Sequence, residues 1–312
     1  MKLAIDLGNS NIKFAGEVNG APVFKVVRSL VSTNSLDTNY LVKHAGNTLH
    51  FGVGDSLVEV DKTNRKYIKE TILLGVHEIY GASEKALDID LAVGLPLDLY
   101  KSSKKADFED KLKALTNSVL DGEVNGENML VKVKSVKVCS EGYSAFINLM
   151  PTIDKDYSAL ILDVGFGTTD AIGITYNKNL SKWQIDDYTT IDKGLYNIYD
   201  AIKGEILNKE KIKDINDVSA VETIFLNNPV VLTETGEFNI NSYLYSARPV
   251  VDSLITSVHK KFPDMKLRKI YLVGGGADLL DKITGSSLAH KYKSNTLTCL
   301  YANAAGYLLQ IK

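Results

Sequence analysis

The segment that most constrains the fold is "KLAIDLGNSNIKF" (residues 2–14), because it returns half a chain later as "ALILDVGFGTTDAIGI" (residues 159–174). In each copy an apolar run ends in Asp-x-Gly, a turn of small residues follows, and a second apolar run leaves the turn. Setting Asp163 under Asp6 places Gly165 under Gly8 and Asp170 under Lys13. A strand–turn–strand unit opening each half of a chain points to an internal duplication. Strand-like and helix-like segments alternate after both copies, which predicts two α/β domains around a cleft. The boundaries expected are 1–157 for the first domain, completed by the C-terminal helix from about 296 to 312, and 158–295 for the second.

The intervening segments fill in that outline. Asn19-Gly20 between two alternating runs is a hairpin signal. "RKYIKETILLGVHEIYGA" changes period, with Ile68, Ile72, Val76 and Ile79 at helical spacing. "IDLAVGLPL" reads as a buried strand, "KKADFEDKLKALTNSVL" as an amphipathic helix and "NMLVKVKSVKVC" as another strand. "SEGYSAFINLM" reads as a helix capped by Ser140. "GLYNIYDAIKGEIL", "ARPVVDSLITSVHKKF" and "YANAAGYLLQ" read as helices, and "RKIYLVGGGADLLDKI" as strand, glycine turn and helix.

A small-residue turn between strands exposes backbone N–H groups that can converge on an anion. Ser10 and Asn11 add side-chain donors, and Lys13 supplies the point charge often used against phosphate. The turn Gly165-Phe166-Gly167-Thr168-Thr169 offers similar chemistry from the second half. Asp6 and Asp163 end the strands that enter the two turns. A carboxylate there repels phosphate unless a divalent cation stands between, so Mg²⁺ is implied. The three glycines Gly274, Gly275 and Gly276 follow a strand and permit close backbone approach by a flat ligand. Their spacing is not G-x-G-x-x-G, and the chain has no G-x-x-x-x-G-K-[ST].

Composition narrows the remaining classes. Lys plus Arg (36) nearly balance Asp plus Glu (38), which gives no electrostatic reason to invoke direct nucleic-acid or membrane binding. Cys139 and Cys299 lie in apolar surroundings without metal-ligand spacing and read as buried, reduced side chains. The opening "MKLAIDLGN" lacks the apolar stretch of a secretory leader. No window reaches the roughly 18 apolar residues of a spanning helix. A cytoplasmic protein is expected.

The ordered set "IDLGNSNIKF", "CSEGYSAF", "ILDVGFGTTD", "YLVGGGADLL" and "YANAAGYLL" resembles the five signature segments of the actin, Hsp70 and sugar kinase superfamily. Within it, "DLGNSNIK", "VGLPLDLY" and "VGGGADLL" are similar to bacterial actin-like plasmid-segregation proteins of the ParM type. The resemblance spans residues 3 to 309 and implies the actin-like (ribonuclease H-like) fold. It further implies ATP or GTP bound with Mg²⁺, helical filaments disassembled by hydrolysis, and an adaptor protein bound to centromere-like plasmid DNA. Carried over by position, it implies that Asp6 holds Mg²⁺ through water, while Gly8, Asn9, Ser10, Asn11 and Lys13 contact phosphate. Glu141 and Asp163 are implied as the catalytic pair that orients water, with Asp163 also close to the metal. Gly165, Gly167 and Thr168 are implied to wrap the phosphates, and Gly274, Gly275 and Gly276 to pack on the nucleoside. Gly194 borders the base in this scheme, with Lys203 and Glu205 as further candidates. Phe166 stands where eukaryotic actin has a second acidic residue. The opening also resembles type III pantothenate kinases, so a small-molecule kinase of the same superfamily remains the alternative.

Overall fold

In the computed structural model, the described residues are 1–34, 38, 40–57, 61–210, 215, 217–227, 229–233, 236–285, 288, 291–293 and 299–312. The chain divides into one unit of Met1–Ile153 with Leu300–Lys312, and a second of Asp154–Cys299. The second domain boundary expected near 296 falls outside the described residues.

In the first unit, β1 (Lys2–Leu7), β2 (Asn11–Val18) and β3 (Ala21–Arg28) form an antiparallel meander. β4 (Ser83–Leu95) pairs parallel to β1, and β5 (Glu127–Ser140) pairs parallel to β4. The sheet continues through Val119–Val124, Leu41–His44, Asn47–Phe51, Leu30–Ser32 and Asp55–Ser56 to ten strands. Helix Ile68–Tyr80 buries the expected stripe, with Ile72, Val76 and Ile79 in the same core as Leu3, Ile5 and Phe14. Burying a side chain of that size contributes about 1.5–3 kcal/mol, so this stripe outweighs the poor capping by Tyr67, which sits at φ 56°.

The second unit repeats the first five strands. β6 (Ala159–Val164), β7 (Thr169–Asn177) and β8 (Lys182–Ile191) form an antiparallel meander. β9 (Lys269–Val273) is parallel to β6, and β10 (Lys291–Lys293) is parallel to β9. The order β8-β7-β6-β9-β10 therefore matches β3-β2-β1-β4-β5 strand for strand, with the same directions. Helices Leu195–Glu210 and Arg248–Lys261 bury Ile198, Ile202, Val251 and Leu254 in this unit's core.

Two expectations are corrected. Ser140 is not a helix cap: it ends β5 and its hydroxyl donates to the Glu141 carbonyl, while the helix runs Tyr143–Leu149 behind Gly142. The charged helix ends early, at Lys113, and passes through a single 3₁₀ turn into a strand beginning at Val119. β-Branched Val119 favours a pleated strand over a helical turn. Both cysteines are free and buried, and burial pushes the Cys139 thiol up to about 11. Among the described residues no helix is long and apolar enough to cross a membrane.

The C-terminal helix, Ala302–Gln310, belongs to the first unit and packs against helix Tyr143–Leu149. A methyl group on Gly306 would fall 1.8 Å from the Ser144 carbonyl oxygen. Only glycine allows the two backbones to approach that closely.

Candidate functional site

The first unit's site is built on the β1–β2 hairpin. Its register sets Asp6 directly opposite Lys13, and the Lys13 Nζ donates to Asp6 Oδ2 at 2.8 Å. The two side chains are only 5% and 11% exposed. Gly8 is required by the turn itself, because a Cβ there would sit 2.4 Å from the Asn11 carbonyl oxygen. Asn11 Nδ2 donates to Ser10 Oγ at 2.9 Å, and the Ser29 N–H donates to the Ser10 carbonyl at 2.8 Å. Asn9, Ser10 and Asn11 are half-buried along the turn.

Two cations that the sequence did not single out complete this hairpin. Arg65 is buried and donates to the Ser29 hydroxyl and the Leu57 carbonyl, with a further bond to the Gly8 carbonyl at 3.3 Å. It thus fixes the turn from outside the hairpin. Lys62, also buried, donates to Glu141 Oε1 at 2.7 Å. Burial alone would push the Asp6 carboxyl up. Lys13, Lys62 and Arg65 outweigh that cost and hold it below the ordinary carboxylate value.

Glu141 lies between the end of β5 and the helix that follows. Its N–H donates to the Leu95 carbonyl at 2.8 Å, at the end of β4. Gly142 turns the chain at φ 67°, and its N–H donates to Asn303 Oδ1 at 2.8 Å. The parallel strands β1, β4 and β5 therefore deliver Asp6, Leu95 and Glu141 at their carboxyl ends, where open α/β sheets place ligands.

In the second unit, the β6–β7 register sets Asp163 opposite Asp170, and both are buried. Asp170 Oδ1 accepts from the Thr190 hydroxyl at 2.5 Å. The turn closes by the Gly165 N–H donating to the Thr168 carbonyl at 2.9 Å. The N–H groups of Leu195 and Tyr196 donate to the carbonyls of Gly165 and Phe166, at 3.0 and 2.7 Å. Gly194 makes that contact feasible, since a Cβ there would meet the Phe166 carbonyl oxygen at 2.6 Å. Gly167 and Thr168 remain exposed at the tip.

The glycine turn after β9 packs on the same hairpin. Gly274 has φ +85°, and a Cβ there would lie 2.4 Å from Asp163 Oδ1. The Gly276 N–H donates to the Val164 carbonyl at 2.9 Å, and Gly275 is exposed. The unit thus brings Asp163, Gly165, Gly194, Gly274 and Gly276 together. Lys203 and Glu205 are engaged elsewhere: Lys203 pairs with Asp200, and Glu205 with Lys209 and the Tyr245 hydroxyl.

Among the described residues no group of three or more His, Cys, Asp and Glu converges as a cation site. Mg²⁺ commonly takes only one or two carboxylates, the rest of its shell being water and substrate phosphate. The facing carboxylates of Asp163 and Asp170 fit that hard, oxygen-rich donor set. Asp6 Oδ2 is already bonded to Lys13, so its contact to a metal would run through water.

A family model of the actin-like proteins' N-terminal domain matches residues 4–143, and one of the archaeal actin homologue MreB-like C-terminal domain matches residues 161–284. No curated protein matches by sequence. Among solved structures, the chain is similar to the archaeal actin homologue Ta0583 in complex with ADP, at 16% identity and a TM-score of 0.78. That likeness covers 99% of this chain and 98% of the other. A 15-stranded ParM filament from Clostridium botulinum follows at 19% identity and a TM-score of 0.71, with the same coverage. The AlfA filament of a B. subtilis plasmid is similar at 13% identity and a TM-score of 0.60, covering 100% and 99%. At such identities these likenesses show the fold, which is actin-like over the whole chain.

Proposed function

The chain belongs to the actin-like proteins, and on that premise we propose that it is a filament-forming ATPase or GTPase of the plasmid-segregation type. The observation that carries this reading is the hairpin of the first unit. The small-residue turn there is flanked by Lys13, and Glu141 is held beside the same cationic cluster. The ADP bound by the archaeal homologue and the filaments formed by ParM and AlfA support nucleotide binding and self-assembly.

In this reading Gly8, Asn9, Ser10, Asn11 and Lys13 bind phosphate in the first unit, and Gly165, Gly167 and Thr168 do so in the second. Gly194, Gly274, Gly275 and Gly276 take the nucleoside. Asp6, through water, and Asp163 are the candidate ligands of Mg²⁺, which when bound would supply charge neutralisation for the phosphates. Glu141 orients the attacking water, as phosphoryl transfer depends chiefly on positioning and electrostatics. Asp163 is the second catalytic candidate. A heterologous head-to-tail contact that does not close generates a filament. An adaptor protein on centromere-like DNA couples that filament to its cargo.

The test is Glu141→Gln, which preserves an acceptor for Lys62. Phosphate release should fall about 10²–10⁴-fold, the range for losing a general acid–base group. Nucleotide binding and light scattering from assembly should persist, and the filaments should outlive wild-type ones. Wild-type turnover in the variant removes the catalytic assignment. A strictly monomeric protein that phosphorylates a small metabolite hands the chain to the kinase alternative.

A further inference from the structure

Resting on the assignment of Glu141 to the attacking water, we propose that Lys62 is a positioning residue that fixes the Glu141 carboxylate for that task. The Glu141 main chain is pinned on both sides, by the Leu95 carbonyl before the turn and by Asn303 on the next N–H. Its side chain still has three torsions to settle, and Lys62 Nζ holds Oε1 at 2.7 Å with both groups about nine-tenths buried.

Lys62 is itself set on a braced turn. Asp61 caps the 3₁₀ turn Lys62–Asn64, accepting from the Thr63 N–H at 3.0 Å and the Thr63 hydroxyl at 2.6 Å. Lys104 Nζ holds the other Asp61 oxygen at 2.7 Å. At the far end of the turn Arg65 reaches the Gly8 carbonyl. One rigid segment therefore ties the Glu141 carboxylate to the turn that binds phosphate. A role as a mobile phosphate ligand is disfavoured, because moving Lys62 away would strip a buried carboxylate of its cation.

The experiment measures nucleotide affinity and single-turnover hydrolysis of the full chain for wild type, Lys62→Met, Lys62→Arg, Glu141→Gln and the Lys62→Met/Glu141→Gln double variant. Lys62→Met should lower the saturated rate about 10- to 100-fold, as small misplacements of a reacting group do, with nucleotide affinity changed less than about threefold. Lys62→Arg should recover most of that loss. The double variant should hydrolyse as slowly as Glu141→Gln and no slower, the non-additivity expected of residues acting as one unit.

A slow Glu141→Gln with a wild-type Lys62→Met overturns this inference alone. Wild-type turnover in Glu141→Gln overturns the underlying reading, and this inference with it. A loss of affinity in Lys62→Met with an unchanged saturated rate makes Lys62 a phosphate ligand and overturns its positioning role. Should Lys62→Met not fold, as judged by circular dichroism, the double variant decides, since it also removes the carboxylate charge that Lys62 Nζ meets. A further tenfold loss there relative to Glu141→Gln overturns the inference.

Discussion

The two hairpins occupy the same place in matching strand orders, yet they are held in opposite ways. Position for position, Lys13 faces Asp6 in the first and Asp170 faces Asp163 in the second. The first turn is stabilised by charged side chains: Lys13 on Asp6, Arg65 on the Gly8 carbonyl, and Lys62 beside them. The second is stabilised by main chain, with the Leu195, Tyr196 and Gly276 N–H groups donating to its carbonyls across contacts that only glycines permit. The first hairpin brings its own counter-charge. The second sets two aspartates opposite each other in register, and on the proposed function it is the hairpin that meets the cation. The two units share a strand order and differ in the chemistry of their hairpins.

If this contrast is right, charge substitutions should damage the first hairpin most. Lys13→Met leaves the buried Asp6 carboxylate without its direct partner. Breaking a buried pair costs about 3–5 kcal/mol, and the lower end is expected because Lys62 and Arg65 still face the carboxylate. Chemical denaturation should show that loss, and a loss below about 1 kcal/mol breaks the comparison. The pH dependence follows from the same group. The folded-state pKa of Asp6 lies below its ordinary value of 3.8, so its stabilisation is present above that value. It disappears as pH falls through the lower folded value. The acid limb of Lys13→Met should therefore be flatter than that of wild type.

Backbone substitutions should instead damage the second hairpin. Gly274→Ala forces an L-residue into φ +85° and drives a methyl to 2.4 Å from Asp163 Oδ1 and 2.6 Å from the Val164 carbonyl oxygen. Left-handed strain and overpacking together should cost about 2–3 kcal/mol. Gly167→Ala, in the β6–β7 turn against which Gly274 packs, is the control, because a Cβ there meets nothing within 4 Å. Equal thermal unfolding midpoints for the two variants would show that the glycine contacts do not hold this turn.

The recurrence of Asp-x-Gly was legible because a strand–turn–strand unit is local, and its residues announce it without reference to the rest of the chain. The helical stripe of Ile72, Val76 and Ile79 was legible for the same reason. Lys62 and Arg65 were not. Lys62 precedes, and Arg65 opens, the segment whose period reads as helical, and a lysine is buried only because a carboxylate 79 residues away in sequence meets it. No local pattern encodes such a pair. The misplaced cap at Ser140 has a related cause. A strand that continues to the edge of the site claims the residue, and Gly142 makes the turn that a serine cap would otherwise have made.

The smallest predicted effect is the sharpest test of the division of charge. Asp170→Asn keeps an oxygen to accept from the Thr190 hydroxyl, so the 2.5 Å contact can survive while the negative charge opposite Asp163 is removed. Like charges directly opposite on adjacent strands cost about 0.2–1 kcal/mol. The variant should therefore gain about 0.5 kcal/mol of unfolding free energy in chelator. It should also gain less than wild type on adding Mg²⁺ with nucleotide, since one of the two carboxylates that attract the cation is neutral. The same substitution logic gives the opposite sign in the first hairpin, where losing a charge is destabilising. Paired denaturation curves in chelator and in Mg-nucleotide separate the two effects. If Asp170→Asn loses stability in chelator, the facing carboxylates are already compensated within the protein, and the second hairpin has no special claim on a cation.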